Sequence, residues 1–370
     1  MKVTSRQLAL TSILMSCLPV SLLEARPPQE AFDACRNHDS GSSCTVSTPH
    51  GRLEGQCRQP PHESQLVCVP DGHRPGQARG SERESSSSRG PGGHTRNHTT
   101  IQSDGNPDLQ AARQAPITDS QVDIVEQEPW RVLTSNGIAE HNTGRFPNRG
   151  NPNAIRKQQY QYRVPLQPKQ SAQTTTLRGH SFGLAVNGVP FDPGAAEWYR
   201  GQRGQWQYEA LSGAVPLGID NNHAHVQPNG AYHYHGLPTG LMDKLNVTPA
   251  QHSALIGWAA DGFPIYALYG YSDGSDTNSG IGQQTSSYRL KTGKRPSAGN
   301  NPGGHYDGTF IADYEYVEGQ GSLDECNGRV TKTPEFPEGT YAYFLTEAWP
   351  VIPRCYKGTP SRDFTHERRR

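Results

Sequence analysis

From residue 121 onward the chain nowhere sustains the 3.6-residue apolar period of an amphipathic helix. Its aromatic and aliphatic runs, such as LIGWAADGFPIYALYGY (255–271) and GTYAYFLT (339–346), are interrupted by glycine or proline every few positions. Glycine raises the entropic cost of a helix and proline removes a backbone donor, so such a segment reads as short strands joined by turns. Asn187-Gly188 within GLAVNGVPF and Asp261-Gly262 within GWAADGFPIY are two-residue hairpin signals. All sixteen tyrosines lie between Tyr160 and Tyr356, and all five tryptophans between Trp130 and Trp349, so the large core belongs to this part. The expected fold is mainly β: a β-sandwich-like or irregular β-rich domain over residues 121–358, preceded by a small disulfide-stapled N-terminal module.

That module follows from the first seventy residues. Lys2 and Arg6 precede the apolar run LALTSILMSCLPVSLL, which is short for a bilayer span, so residues 1–25 read as a signal peptide cleaved near Ala25. Leu14-Met15-Ser16-Cys17 loosely resembles a lipobox, which makes a lipoprotein the second reading; the apolar residues after Cys17 speak against it. The mature chain is then secreted, periplasmic or displayed on the cell surface, without a transmembrane span. Removing the leader leaves six cysteines, and an even number in an exported chain points to disulfides. Cys35, Cys44, Cys57 and Cys68 fall in residues 26–70, a piece too small for an adequate core; their pairing is one of three possibilities. Cys326 and Cys355 are expected to bridge the last part of the large domain. Residues 71–120 contain GHRPGQARGSERESSSSRGPGGHTRNHTT, with no sustained apolar pattern to offset ordering entropy, and read as a disordered Gly/Ser/Arg linker. Residues 359–370 read as an exposed basic tail. Asn97-His98-Thr99 and Asn246-Val247-Thr248 are glycosylation sequons if the host is eukaryotic.

The formal net charge is zero, which argues against nucleic acid or an anionic membrane as partner. The chemistry concentrates instead in HAHVQPNGAYHYH (223–235), where four histidines flank a Pro-Asn-Gly. Pro228 suits the first turn position, Asn229 the next, and Gly230 accepts positive φ, giving a three-residue loop with a glycine bulge. Gln227 then pairs with Ala231, His225 with His233, and His223 with His235. Side chains opposite one another, or two apart on one strand, share a face. His223, His225, His233 and His235 would therefore project together, with Ala224, Val226, Tyr232 and Tyr234 on the core side. A two-residue loop would slip the register and separate the pairs. Converging neutral imidazoles suit Cu or Zn; the plain alternative is a polar sheet face whose histidines bond to loops. His180, His141 and Asp261 are candidate further ligands, and the Asp220-Asn221-Asn222 preceding the cluster reads as a turn.

Other signals are weaker. Gly179-His180-Ser181-Phe182-Gly183 matches a nucleophile pattern but lacks the strand-turn-helix context that pattern requires. SDGSDTNSG (272–280) is oxygen-rich, yet a twelve-residue calcium loop would end at Gln284 rather than glutamate, leaving calcium a weak candidate. Asp307, Asp313, Asp324 and Glu325 could serve hard ions or a general base, or simply turns and ion pairs.

Tyr232-His233-Tyr234-His235 inside HVQPNGAYHYHGLP, with LIGWAADGFPIY downstream, resembles the YHYH-domain family of exported proteins. The likeness runs from NGIAEHNTGRFPN (136–148) through DYEYVEGQGSLDECNGR to TYAYFLTEAWPVIPR, and so covers essentially residues 121–358. It implies a domain and export, and names no activity, substrate or cofactor. The expected function is an exported protein with a histidine-cluster Cu or Zn domain. An open metal position would permit hydrolase or redox chemistry, and the residues do not decide whether the protein is an enzyme. The alternative is a non-catalytic envelope or extracellular module that binds carbohydrate, a small molecule or an envelope protein, with structural histidines.

Overall fold

The computed structural model describes residues 29–48, 51–59, 65–70, 97–179 and 181–365. The expected leader, residues 71–96 of the expected linker, His180 and the last five residues lie outside them. The chain divides into two compact units, Met1–Gly90 and Pro91–Arg370.

In the first unit a short helix (Gln29–Asp33) precedes three antiparallel strands, Ser43–Thr48, Gly51–Arg58 and Val67–Pro70, with the second in the middle. The pairing left open by the sequence is Cys35–Cys57 and Cys44–Cys68. These four half-cystines, with Phe32, Val46 and Val67, make up the unit's small core. Loops of this size correspond to about 3 kcal/mol per bridge in the chain-entropy picture, which lets so little apolar surface hold a fold.

The second unit is built on one eight-stranded mixed sheet. Its strands in chain order are β1 (Gly183–Ala185), β2 (Pro190–Phe191), β3 (Ala224–Val226), β4 (Tyr232–Tyr234), β5 (Gly257–Ala259), β6 (Pro264–Ala267), β7 (Gly328–Thr331) and β8 (Thr340–Leu345). Across the sheet they run β3-β4-β2-β1-β5-β6-β8-β7. The β4–β2 and β6–β8 pairings are parallel and the others antiparallel. A separate antiparallel three-stranded sheet (Val122–Gln127, Trp130–Ser135, Tyr160–Pro165) contributes Leu133, Tyr162 and Val164 to the same core. The architecture is thus mainly β, as expected, with several sheets and short helices only. Cys326 and Cys355 are bridged, as expected.

Three hairpins within the large sheet share one construction. Ala185 N–H donates to Val189 O (2.9 Å), Gln227 N–H to Ala231 O (2.9 Å) and Ala259 N–H to Phe263 O (2.9 Å), so each loop holds three residues. Each loop ends in a left-handed glycine: Gly188 (φ 78°), Gly230 (φ 90°) and Gly262 (φ 91°). Before each glycine stands an Asx whose Oδ1 accepts the N–H two residues on: Asn187 from Val189 (3.3 Å), Asn229 from Ala231 (3.0 Å) and Asp261 from Phe263 (3.4 Å). The two-residue loops expected at Asn187-Gly188 and Asp261-Gly262 are therefore one residue longer, because the left-handed position falls only on the glycine and the Asx stays within the preceding turn.

Two expected boundaries shift. The segment from Asn97 on is packed rather than free: Asn97–His98 pairs with Trp198–Tyr199, Tyr208 donates to Thr100 O (2.6 Å), and Gln110 N–H donates to Ile219 O (2.8 Å). It is held largely by backbone groups adding to exposed edges, which leaves little apolar pattern in the sequence. At the other end, Phe364 is buried and stacks on Tyr162 with ring centroids 4.1 Å apart, so the packed domain extends at least through the short 3₁₀ turn Arg362–Phe364. No helix among the described residues is long and apolar enough to cross a membrane.

Candidate metal centre

The β3–β4 ribbon lies at one edge of the large sheet, with Ala224 opposite Tyr234, His225 opposite His233 and Val226 opposite Tyr232. Alternation along the strands places Ala224, Val226, Tyr232 and Tyr234 in the main core, each at most 1% exposed. The imidazoles of His225, His233 and His235 turn to the other face, which is also closed: His233 and His235 are 2% and 1% exposed. Among the three rings every pair of centroids lies 4.5–4.7 Å apart. Each ring offers a nitrogen within 4.8 Å of the others, and His233 Nε2 sits 3.0 Å from His235 Nε2. A tetrahedral ion bound at about 2.0–2.1 Å would require nitrogen separations of roughly 3.3 Å, so small ring rotations would complete the geometry.

The second nitrogens set the tautomers. His225 Nδ1–H donates to Leu217 O (2.9 Å) and His233 Nδ1–H to Ala231 O (3.2 Å), which assigns the lone pair of each ring to Nε2. His235 Nδ1 is buried without a hydrogen bond of normal geometry, although the Pro193 carbonyl acts on it as a weak acceptor. If His235 also carries Nδ1–H, two Nε2 lone pairs face each other at 3.0 Å, an arrangement that a cation between them would relieve. If it carries Nε2–H instead, His233 is satisfied but His235 Nδ1 is left as a buried acceptor with no donor. The carbonyls behind His225 and His233 are the arrangement that orients histidine ligands.

Electrostatics keep two of the three rings neutral. Burial, reinforced by His233, lowers the His225 pKa to about 3. Burial, then the neighbouring His225 and His233, pushes His235 well below its ordinary value. Neutral imidazole is the ligating form, so His225 and His235 need shed no proton to donate at physiological pH.

The ribbon is fixed from its tyrosine side. Tyr232 OH donates to Asp220 Oδ2 (2.7 Å), which also accepts from Gly144 N–H (2.7 Å), while Asp220 Oδ1 accepts from Asn222 and Ala224 N–H (2.9 and 3.3 Å). Burial raises the Asp220 pKa against these four bonds. Tyr234 OH accepts from Asn187 Nδ2 (2.9 Å) and donates to His141 Nε2 (2.6 Å), and His141 Nδ1–H donates to Asn142 O (2.8 Å).

His223 does not join the triad. Asp220 closes a turn onto it (His223 N–H to Asp220 O, 2.8 Å), so it adopts a left-handed φ of 52° and strand β3 starts one residue later. Its Nδ1–H donates to Leu237 O (2.8 Å), away from the other rings. His141 serves Tyr234 on the opposite face. Asp261 is buried in its hairpin, accepting from Tyr343 OH (2.6 Å) and Gly358 N–H (2.8 Å), and neither residue reaches the triad. His180 lies outside the described residues. Cys35, Cys44 and Cys57 also cluster, but all are in disulfides and offer no thiolate. Of the weaker acidic candidates, Asp307 and Asp313 clamp the buried Arg295, and Asp324 accepts from Tyr341 OH (3.0 Å).

Sequence reasoning missed the remote wall of the site. Asp192 is near enough to act on His225 and accepts from Gln227 Nε2 (3.0 Å). Arg354 spans from Pro193 O (2.9 Å) to Glu209 Oε2 (2.8 Å). Nothing in the spacing of these residues announces that they meet.

The family model described as YHYH protein matches residues 161–358, more than half of the chain, and includes the whole ribbon. No curated protein sequence and no solved structure matches the chain significantly.

Proposed function

The chain belongs to the YHYH protein family, and from that membership and the ribbon's geometry we propose that its large domain is a transition-metal site in an exported protein, with His225, His233 and His235 holding one Cu or Zn ion. The observation that carries this reading is the convergence of three imidazoles, two buried and that of His225 half-buried, whose nitrogens lie within 4.8 Å of one another. Three neutral nitrogen ligands suit a borderline ion and keep a position for a fourth ligand, where the ion would supply Lewis acidity to a bound water or carbonyl. Leu217 and Ala231 orient the rings, and Tyr232 and Tyr234 hold the ribbon behind them. Export is supported by the leader-like first 25 residues and by the pairing of all six remaining cysteines in disulfides.

The test is metal analysis of protein purified without a polyhistidine tag. Near-stoichiometric Cu or Zn is expected in the wild type and its loss in a His225→Ala/His233→Ala variant that keeps the wild-type circular dichroism. Absence of metal, with a melting temperature that neither Cu²⁺ nor Zn²⁺ raises, would overturn the proposal and leave the histidines structural. A metal-dependent hydrolytic or redox activity lost in the same variant would distinguish an enzyme from a carrier.

A further inference from the structure

A second site opens at the base of the ribbon, on the side to which His223 turns. There the segments around Asn106, Ser212, His223, Asp307 and Trp349 enclose a cleft of about 320 Å³. That volume lies at the small end of ligand pockets and admits a compact ligand of one or two rings. Its aromatic wall is rigid: Trp349 stacks on Tyr314 at 4.2 Å with planes 3° apart, and its Nε1–H donates to Glu209 Oε2 (2.8 Å).

We propose that this cleft binds a neutral mono- or disaccharide. Charge is the first argument. Three carboxylates line the cleft, but Glu209 is paired with Arg354 and Asp307 with Arg295. Among the described residues Glu347 is the one lining carboxylate without a basic partner, and no lysine or arginine lines the cleft. A polyanion would find no cation there, and a polycation only one available anion. Surface chemistry is the second argument. Exposed Glu347 offers acceptors, Asn106 an amide, and His223 the ring nitrogen that Leu237 O does not engage. Leu211, Leu237 and the Trp349–Tyr314 pair supply apolar surface between them. A sugar ring presents this same mixture, with C–H groups on its faces and hydroxyls at its rim. The fixed indole means little side-chain freedom is lost on binding. This reading is independent of whether the triad holds metal.

The test is saturation-transfer NMR and calorimetric titration of the full chain with glucose, galactose, mannose, N-acetylglucosamine, cellobiose and chitobiose, with spermidine, choline and glucose 6-phosphate as charged controls. Expected is saturable binding of at least one neutral sugar, weakened at least 10-fold in both Glu347→Gln and His223→Asn. Asparagine tolerates the left-handed backbone at 223, and unchanged circular dichroism and melting temperature would show that both variants fold. Lack of sugar binding at millimolar concentration, preference for a charged control, or equal sugar affinity in wild type and variants would each overturn the proposal.

Discussion

Acid should destabilise the metal-free protein through two identified side chains. His225 has a folded pKa of about 3, and that of His235 is also far below the ordinary value of roughly 6.5. A depressed histidine pKa means the unfolded state takes up protons first. The stability is therefore fully present above about pH 6.5 and is lost as pH falls toward the folded value. Between pH 7.5 and pH 5 the His225 imidazole alone corresponds to about 2 kcal/mol, a large share of a typical folding free energy of about 5–15 kcal/mol, and His235 acts in the same direction. Burial of Asp261 raises its pKa to about 6, with the opposite sign. Its contribution is present below the unfolded value near 3.8 and fades as pH rises through 6, so it moderates the net slope without depending on the triad. The assay is urea unfolding across this pH range in chelator, comparing wild type with His225→Gln/His235→Gln. The variant keeps Asp261 and every other carboxylate but lacks the two titrating rings, so its stability should vary with pH by at least about 2 kcal/mol less. Parallel pH profiles, differing by under about 1 kcal/mol over the range, would refute the reasoning.

Other outcomes follow from the same geometry. At pH 6, three ordinary imidazoles would release about 2.3 protons on binding an ion; with His225 and His235 already neutral, release should not exceed about one proton when Zn²⁺ is titrated calorimetrically in buffers of different ionisation enthalpy. Tyr232→Phe removes the phenolic donor from buried Asp220 and should lower stability by about 1–3 kcal/mol in urea at pH 7. Gly188→Ala should cost about 2–4 kcal/mol, because the left-handed backbone is strained and the new Cβ meets the Ser135 hydroxyl and Val122 Cγ2 (2.6 Å). Gly280→Ala, with φ 80° but no atom within 4 Å, isolates the backbone part at about 1–2 kcal/mol.

The readable parts of this chain were those set by neighbours in sequence. Pro228-Asn229-Gly230 specified its own loop, and the loop specified that His225 faces His233. A mainly β fold followed from turn residues too frequent for helices, and the cysteine count implied bridges, though not which thiols meet. His223 was misplaced for a local reason that was visible but not used. Asp220 captures the Asn222 and Ala224 N–H groups, and that turn runs one residue into the expected strand. The packed half of the presumed linker was concealed differently, since backbone pairing to Ile219 and Tyr199 requires no apolar side-chain pattern. Pro193, Asp192 and Arg354 reach the site through the long crossings of a mixed sheet, and no periodicity encodes such an encounter.

The alternation Tyr-His-Tyr-His acquires a physical sense from the contrast between its two faces. On a sheet buried on one side, the second residue type would face water and could be almost anything polar. Here both sides are closed, so each side chain must find partners within the protein. The tyrosines do: Asp220, Asn222, Asn187 and His141 satisfy both phenols, and the ribbon is held immobile from that side. His235 does so incompletely. Each assignment of the His235 proton leaves either opposed Nε2 lone pairs or an acceptor without a donor. Such a face is rigidly backed and sets three imidazoles within ligand distance, which is the ground of the metal reading. The structural alternative must instead tolerate three imidazoles, two of them buried, within ligand distance of one another and the acid sensitivity that His225 and His235 bring.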